Sequence, residues 1–484
     1  MLAVFGANVG LAGPVDIYGF GAASIGRGQG GVSVADGGMT VFRNPALLQS
    51  LEWAEASAGF GMYRASLAAS PQVYWDTNQD GVLNAEDPPL SVTADSPDAD
   101  GLSIAMARNV GDKIGLALNA FLPTNRLMRF GTTEPSLPTW VMYGNRTQRV
   151  DLSIGAGFEL YKGISVGTAV EVTAMARYKI SSTIGVGVGA AESEEELGDI
   201  IESVTVDVHQ MSLDLVPRLV PIVGFHWDAG QLLKPLDGLH VGASWRADSG
   251  IPVDAEIDLQ INGTIQDIGE LNDMVVALVM PIEFSVFDHY IPERWSFGAS
   301  YQHKEKSLVY FDLHHTRWSG MQVNVARITS SAIRSQIFDV NDDLVDDANA
   351  YRAFFKDTQS FHTGTEIHLP VIATQGNAGD IAPILRTGFA LVPSPLVSQE
   401  VGTAFLDSDR MLFSFGAGIV HEDPTLLLPG PVQWDVFYTR HVLAAGVLQI
   451  ADAGTMRPGA PVDGKPIPIG GSLWSAGAQL TVSF

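Results

Sequence analysis

Twelve residues in the first fifth of the chain carry the oxygen ligands that a calcium ion requires. The run from Asp76 to Asp87 reads Asp-Thr-Asn-Gln-Asp-Gly-Val-Leu-Asn-Ala-Glu-Asp, and its glycine stands where the twelve-residue calcium loop turns sharply. The predicted ligands are Asp76, Asn78, Asp80, Val82 through its backbone carbonyl, Asn84 and Asp87. The pattern predicts a Ca²⁺ site that stiffens the surrounding loop. The alternative is a solvated acidic turn, since Pro88-Pro89 is unsuited to the helix that should follow.

Motifs for catalysis are absent from the sequence. Gly-x-Ser-x-Gly, His-Glu-x-x-His and the Walker loop do not occur, and the chain has no cysteine, which excludes disulfides and thiolate chemistry. His314 and His315 are adjacent on a predicted strand and therefore point to opposite faces. We expect a protein that is not an enzyme, and the alternative is a barrel lipase or protease with Ser, His and Asp on different strands.

Composition narrows the class of protein. The 484 residues include 28 Lys and Arg against 54 Asp and Glu, so the net charge is −26. Such an acidic chain lacks the clustered basic surface that nucleic acids require, and no nucleic-acid partner is expected. Hydrophobic residues make up 46% and charged residues only 17%, which is incompatible with intrinsic disorder.

The apolar residues are not arranged as membrane helices. A helical span needs about 20 consecutive apolar residues, and no interior run approaches that length. The uncharged stretch Met1–Val15 contains the small-residue run Gly10-Leu11-Ala12, so residues 1–12 are interpreted as the remnant of a signal peptide. A buried N-terminal strand is the alternative. Either a soluble protein or a membrane β-barrel fits these observations.

Side-chain alternation favours the barrel. From Leu152 to Leu160 every second residue is apolar, the pattern resumes from Ile164 to Val172, and Tyr161-Lys162-Gly163 forms a hairpin turn between them. The intervening positions are mostly Ser, Gly, Gln and isolated acids, which suits a barrel lumen better than the charged outer face of a soluble all-β protein. Tryptophans stand near the ends of predicted strands, as in the aromatic girdles of membrane barrels. They are Trp53, Trp227, Trp245, Trp295, Trp318, Trp434 and Trp474.

Connections between predicted strands alternate between short and long. This alternation is typical of barrels with short periplasmic turns and long external loops, and it gives a transmembrane antiparallel β-barrel of about 14 strands over residues 51–484. Lys179–Ser203 and Gly263–Met280 are predicted as long connections, and Ile291–Glu293 as a short one. Val204–Trp227 and Arg294–Trp318 each fit one long strand or a pair.

The segment before the barrel is rich in glycine. Gly19–Gly38 is too irregular for a spanning strand, and no Gly-Lys-Ser/Thr follows that would indicate a phosphate loop. A flexible leader is one interpretation. A compact plug inside the barrel fits better, because glycines let backbone pack closely in a confined space.

The Gly-Arg-Gly-rich run, the pair Ala35-Asp36 and the element Arg43-Asn44-Pro45-Ala46, together with a barrel ending in Phe484, resemble the FadL family of outer-membrane long-chain fatty acid transporters. The resemblance implies an N-terminal hatch, here residues 13–50, with Asn44, Pro45 and Ala46 as its matching core. It implies passive uptake of hydrophobic molecules with lateral exit into the membrane. It also implies contact with outer-membrane lipid, and recognition of the C-terminal strand by the assembly machinery. The alternative is a structural or secretion-associated outer-membrane barrel that binds a partner protein.

Two apolar segments lie within predicted external loops, Leu137–Tyr143 and Met274–Met280. Each CH₂ left in water forgoes about 0.8 kcal/mol, so a transporter of acyl chains needs apolar loops that capture its ligand. These segments are predicted to form a ligand groove, with ordinary loop or strand packing as the alternative.

Overall fold

The computed structural model describes residues 14–52, 54–68, 73–74, 89–90, 98–111, 113–124, 139–140, 142–143, 150–188, 201–250, 253–265, 275–286, 290–304, 306–320, 353–373, 380–399, 405–422, 430–448 and 467–484. Among these residues, no helix has the length and apolar character needed to cross a membrane.

Fourteen strands close into an antiparallel barrel, as the alternation of the sequence predicts. In chain order they are β1 Glu55–Leu67, β2 Ala99–Val110, β3 Ile114–Pro123, β4 Asp151–Tyr161, β5 Ile164–Val188, β6 Ile201–Asp228, β7 Leu239–Arg246, β8 Glu293–His303, β9 Ser307–Arg317, β10 Thr358–His368, β11 Ile381–Val392, β12 Arg410–His421, β13 Val432–Leu448 and β14 Ile467–Ser483. Strand β14 pairs with β1 from Glu55 opposite Ser483 to Leu67 opposite Gly471, which closes the barrel.

The outer face of the barrel is apolar and the inner face is small or polar. In β13 the outward side chains include Trp434, Val436 and Tyr438, all exposed, whereas Asp435 and Thr439 point inward and are buried. This arrangement inverts that of a soluble protein, because large apolar side chains cover the surface that faces lipid. The alternation seen in the sequence therefore places its apolar residues on the outside.

The two ends of the barrel differ in the length of their connections. Tight turns join β2 to β3 and β4 to β5, and the glycines at these turns, Gly111 and Gly163, have φ of 68° and 78°. This end, called the turn end, also holds α3 Ala229–Leu232 and the 3₁₀ turn Lys234–Leu236 between β6 and β7. The opposite end, called the loop end, carries the long connections. Its described parts include the strand pairs Val73–Tyr74 with Pro89–Leu90, Ser249–Gly250 with Tyr290–Ile291, Thr139–Trp140 with Phe405–Leu406 and Ala353–Phe355 with Leu396–Gln399, and the 3₁₀ turn Trp318–Gly320.

Several predicted connections are wrong because the strands continue beyond the length that a membrane requires. A spanning strand needs about 9 to 11 residues, but β5 has 25 and β6 has 28, so the described parts of the predicted Lys179–Ser203 loop, residues 179–188 and 201–203, belong to these two strands. Val204–Trp227 lies in the single strand β6. Arg294–Trp318 contains the pair β8 and β9, and the short connection at the turn end runs from His303 to Ser307 rather than through Ile291–Glu293.

A hairpin adds two strands to the extended part of β5. Val253–Ile265 pairs antiparallel with Val275–Val286 and parallel with β5 over Ile180–Val188. The prediction that Met274–Met280 forms an apolar loop is therefore wrong, since residues 275–280 belong to the second strand of this hairpin. The backbone groups of this β-branched run form ladder hydrogen bonds instead of remaining in a loop.

Residues 14–50, called the lumen segment, lie inside the barrel. The segment contains α1 Pro14–Tyr18, α2 Ala22–Gly26 and the 3₁₀ turns Met39–Phe42 and Pro45–Ser50. Its backbone N–H groups bond to inward side chains on the neighbouring strands β14 and β1 and, across the barrel, on β9. They are Ala22 to Gln479 Oε1 at 3.0 Å, Gly31 to Asp312 Oδ2 at 2.5 Å and Gly38 to Glu55 Oε1 at 2.5 Å. Because the partners surround it, the segment occupies the cross-section of the lumen.

Asn44 fixes the last turn of the lumen segment. Its Oδ1 accepts a bond from the Ala46 N–H at 3.1 Å, which caps the turn that begins at Pro45. Its Nδ2 donates to Val32 O at 2.7 Å and to Phe225 O of β6 at 2.9 Å. All polar atoms of this fully buried side chain are therefore used, which accounts for asparagine at this position.

Glycines on four adjacent strands make room for that turn. A Cβ on Gly115, Gly157 or Gly167 would lie within 2.4 Å of backbone atoms of Leu48 or Pro45, and one on Gly224 would lie 2.1 Å from Asn44 Oδ1. The inner faces of β3 to β6 thus lack side chains where the lumen segment contacts the wall.

Candidate functional site

The predicted calcium ligands, Asp76, Asn78, Asp80, Val82, Asn84 and Asp87, lie outside the described residues. In the part of the chain that the structure describes, no group of three or more His, Asp or Glu side chains is placed to hold a metal ion.

The lumen segment separates two cavities. The upper cavity, near the loop end, has a volume of about 110 Å³ and is floored by residues of the lumen segment that include Phe20, Val32 and Arg43. The lower cavity, near the turn end, has a volume of about 230 Å³ and touches the same segment at Arg27 and Asp36. A solute crossing the barrel along its axis meets the lumen segment between them.

Two loops form an apolar roof over the upper cavity. Thr139–Trp140 pairs in parallel with Phe405–Leu406, which joins the β3–β4 loop to the β11–β12 loop. Trp140, Tyr143 and Phe405 are buried in one apolar cluster with Ile17, Tyr18 and Phe20 of the lumen segment. Of the predicted groove Leu137–Tyr143, the structure therefore places Trp140, Met142 and Tyr143 in the cluster above the lumen.

The polar edge of this roof contains Arg410, Tyr143 and Asp407. The Tyr143 hydroxyl interacts with both the Arg410 guanidinium and the Asp407 carboxylate. Burial raises the pKa of Asp407 to about 6, although the Ser394 hydroxyl, which donates to Asp407 Oδ2 at 2.6 Å, and the Arg410 charge oppose the rise. Arg410 lines the upper cavity, and its buried Nε and Nη1 have no hydrogen-bond partner among the described residues.

Other arginines that line the upper cavity are paired with acids. Arg246 Nη2 contacts Asp16 Oδ1 at 2.8 Å, and Arg294 Nη2 contacts the same oxygen at 3.3 Å. Arg246 Nη1 also lies 3.5 Å from Glu171 Oε2 on β5. Arg246 and Arg294 each leave only Nε buried without a hydrogen-bond partner among the described residues, whereas Arg410 leaves both Nε and Nη1 without one.

An ion-pair chain connects the lumen segment to the barrel wall beside the lower cavity. Its six members alternate in charge, in the order Arg43, Asp36, Arg27, Glu366, Arg386 and Asp435. Arg43 Nη2 contacts Asp36 at 2.5 Å, and Asp36 in turn contacts Arg27.

The wall end of the ion-pair chain lies on β10, β11 and β13. Glu366 Oε2 accepts from Arg27 and from Arg386, each at 2.6 Å, and Arg386 Nη1 contacts Asp435 at 2.5 Å. Burial on its own raises the pKa of Asp36, but Arg27 and Arg43 outweigh this effect and lower it. The carboxylate is therefore ionised, and the chain is a set of charges buried in mutual contact.

Strand β9 holds the backbone of the lumen segment at the same level. Tyr310 Oη donates to Arg27 O at 2.6 Å and accepts from the Gly30 N–H at 3.1 Å. Asp312 Oδ2 accepts from the N–H groups of Gly31 and Val32. Sequence reasoning missed these contacts and the ion-pair chain. A detectable signal was an acidic residue at an inward position on each of three strands, Asp312, Glu366 and Asp435.

The comparisons with known proteins agree on one family. The model of the family described as outer membrane protein transport protein (OMPP1/FadL/TodX) matches residues 3–428. Alkane uptake protein A of Marinobacter nauticus is 22% identical over 410 residues, which cover 81% of this chain and 78% of that protein.

A solved structure shares the architecture. The crystal structure of a Pseudomonas aeruginosa FadL homologue aligns with a TM-score of 0.56 and 14% identity, over 100% of both chains. The Pseudomonas putida toluene transporter TodX aligns with a TM-score of 0.47 and 11% identity, over 97% of this chain and 99% of TodX.

Proposed function

This chain belongs to the OMPP1/FadL/TodX family of outer-membrane transport proteins, and from that premise we propose that it takes up long-chain fatty acids by passive transport. It is a β-barrel of the outer membrane that transports hydrophobic compounds, and its family is one of transport proteins rather than enzymes. Short turns of such barrels face the periplasm, so the loop end faces the outside.

The observation that carries the choice of a fatty acid is the unpaired side of Arg410. Nε and Nη1 of Arg410 are buried without an acceptor in the described part of the chain, which is costly unless a ligand supplies one. A carboxylate oxygen supplies such an acceptor and forms a charge-assisted hydrogen bond with the guanidinium. Phe20, Met142 and Tyr143 of the apolar cluster line the same cavity as Arg410 and suit the hydrocarbon tail. An alkane suits the apolar cluster but offers no acceptor to Arg410.

We propose that the lumen segment acts as the hatch, with Asn44, Pro45 and Ala46 at its core. It fills the space between the two cavities, so a ligand in the upper cavity advances only if part of this segment moves or if it leaves sideways through the wall. The apolar roof supports capture from the outside, because transfer of each CH₂ from water contributes about 0.8 kcal/mol.

The test is a comparison of two ligands that differ only in the head group. Oleate and oleyl alcohol are titrated calorimetrically into the protein in nanodiscs, for the unchanged chain and for Arg410→Gln. A hydrogen bond to a charged group contributes about 1.5 to 3 kcal/mol, so Arg410→Gln should weaken oleate binding about ten- to a hundredfold and leave the alcohol unchanged.

The matched control is Arg440→Gln. Arg440 is an exposed arginine on the lipid-facing side of β13, where it donates to Ser472 Oγ at 3.4 Å. This variant should bind oleate as the unchanged chain does. Equal affinity of the unchanged chain for oleate and the alcohol would remove the case for fatty acids and favour neutral hydrocarbons.

Three further parts of the chain carry proposals. We propose that residues 76–87 bind Ca²⁺ and stiffen the first external loop, which calorimetric titration of Ca²⁺ into the chain and into Asp76→Ala tests directly. Residues 1–12 are proposed as a signal-peptide remnant. The C-terminal strand ending at Phe484 is proposed to contact the outer-membrane assembly machinery.

A further inference from the structure

Arg43 belongs both to the upper cavity and to the ion-pair chain. It lines the cavity, where its Nε is buried without a hydrogen-bond partner among the described residues. Its Nη1 donates to Gly30 O at 2.5 Å and its Nη2 to Asp36 Oδ2 at 2.5 Å. Nε and Nη2 lie on the same edge of the guanidinium, and a carboxylate can bind this edge with both oxygens. On this edge of Arg43, Nη2 holds Asp36 and the N–H of Nε is free within the described part of the chain.

The ion-pair chain is balanced in charge only without a ligand. Three arginines alternate with three carboxylates from Arg43 to Asp435, and all six side chains are largely buried. A carboxylate that enters the upper cavity and contacts Arg43 places a second anion beside Asp36. In a buried site two carboxylates that share one cation repel each other, and neither is screened by water. A neutral ligand leaves the balance intact.

We propose that the carboxylate of a ligand first held at Arg410 advances within the same cavity to Arg43, where Asp36 competes with it, so that an anionic ligand loosens the contact between the lumen segment and the barrel wall, whereas a neutral hydrocarbon does not. The inference rests on the proposed uptake of fatty acids and adds the regulation of that site. Asp36 thereby makes release of the lumen segment selective for ligands with a charged head group.

Hydrogen–deuterium exchange on the unchanged protein tests the coupling. The amides of Thr40, Arg43 and Asn44 bond within the lumen segment, to Gly37 O and Thr40 O, and report its opening. Saturating oleate should accelerate their exchange at least about fivefold, the lower range of coupling between two sites. Saturating oleyl alcohol should leave the exchange unchanged or slow it, because it fills the cavity without adding charge. Amides of β7 serve as an internal control.

Two variants test the competition in a second way. Asp36→Asn removes the competing charge but keeps Arg43 in the cavity, so oleate should bind at least about fivefold more tightly. A merely structural role of Asp36 predicts weaker binding instead. Asp237→Asn is the matched control, since it makes the same change at an exposed position of the turn end outside the ion-pair chain and should leave oleate affinity unchanged.

The outcomes separate this inference from the proposed function. If oleate binds but accelerates exchange no more than the alcohol, the coupling is refuted while fatty acid binding stands. Unchanged or weaker oleate binding by Asp36→Asn also refutes it. If the unchanged protein does not bind oleate, the proposed function fails and the inference fails with it. The exchange experiment requires no variant, so it decides the question even if Asp36→Asn does not fold.

Discussion

Replacing Arg27 with methionine should open the lumen segment. Arg27 stands between Asp36 and Glu366, and the side chains of these three residues are 3%, 6% and 11% exposed. Removing one partner of a buried ion pair costs about 3 to 5 kcal/mol. Here each carboxylate keeps another cation, Arg43 for Asp36 and Arg386 for Glu366, so the lower value applies.

A loss of about 3 kcal/mol in the opening free energy corresponds to an increase of about a hundredfold in the open population. Amide exchange of Ile25, Arg27 and Gln29, which bond within the lumen segment, should accelerate by that factor in Arg27→Met. Conductance of the barrel in a planar bilayer should rise in parallel, because the segment separates the two cavities. Glu366→Gln combined with Arg27→Met should be less damaging than the sum of the single changes, since one uncompensated charge is removed.

The control for this prediction is Arg440→Met, which removes an arginine from the lipid-facing side of β13. If exchange in the lumen segment of Arg27→Met is no faster than in this control, or if the double variant shows strict additivity, the ion-pair chain does not hold the segment in place.

Three other predictions concern the wall, the pH response and the roof. Gly167→Ala places a Cβ 2.3 Å from Pro45 C and should lower the free energy of unfolding by about 1 to 3 kcal/mol in thermal denaturation, whereas Gly446→Ala, whose nearest neighbours are Ile469 side-chain atoms at 3.3 Å, should have little effect. The pKa of Asp407 is raised to about 6, so below that pH the group is neutral and above it an anion competes for Arg410. Binding of an alkyl sulfonate, whose charge does not change with pH, should therefore weaken as pH rises through 6. Affinity of the unchanged chain that does not vary with pH, or the same pH dependence in Asp407→Asn, would contradict competition by Asp407 for Arg410. Met142→Ala should weaken oleate and oleyl alcohol binding equally in calorimetry, since Met142 belongs to the apolar cluster and lines the upper cavity where both tails are proposed to lie, and a loss confined to oleate would show that its role is different.

Local periodicity predicted the barrel well because each strand carries its own signal. The run from Leu152 to Leu160, the turn at Gly163 and the run from Ile164 to Val172 appear as β4, its turn and the first part of β5. The same reasoning failed beyond the membrane, where β5 and β6 continue as a paired extension and residues 275–280 join a hairpin. There the sequence is no longer constrained by lipid on one face, so alternation does not mark where a strand ends.

The site was harder to predict because its partners are distant in sequence. Arg27 and Glu366 are 339 residues apart, and their contact depends on the closure of the barrel around the lumen segment. Asn44 was identified from the Asn-Pro-Ala element, but its bond to Phe225 O and the glycines that admit the turn follow only from the register of β3 to β6. Arg410 carries no motif, and its role is suggested only by its unpaired nitrogens.

Uptake measurements test most directly whether this barrel transports fatty acids by recognising their carboxylate, as proposed. Uptake of labelled oleate is measured in bacteria whose only FadL-family protein is this chain, its Arg410→Gln variant or its Arg440→Gln variant, at equal levels in the outer membrane. We expect saturable uptake by the unchanged chain and by Arg440→Gln, and strongly reduced uptake by Arg410→Gln. Uptake by the unchanged chain that equals that of cells without any such protein would contradict this proposal.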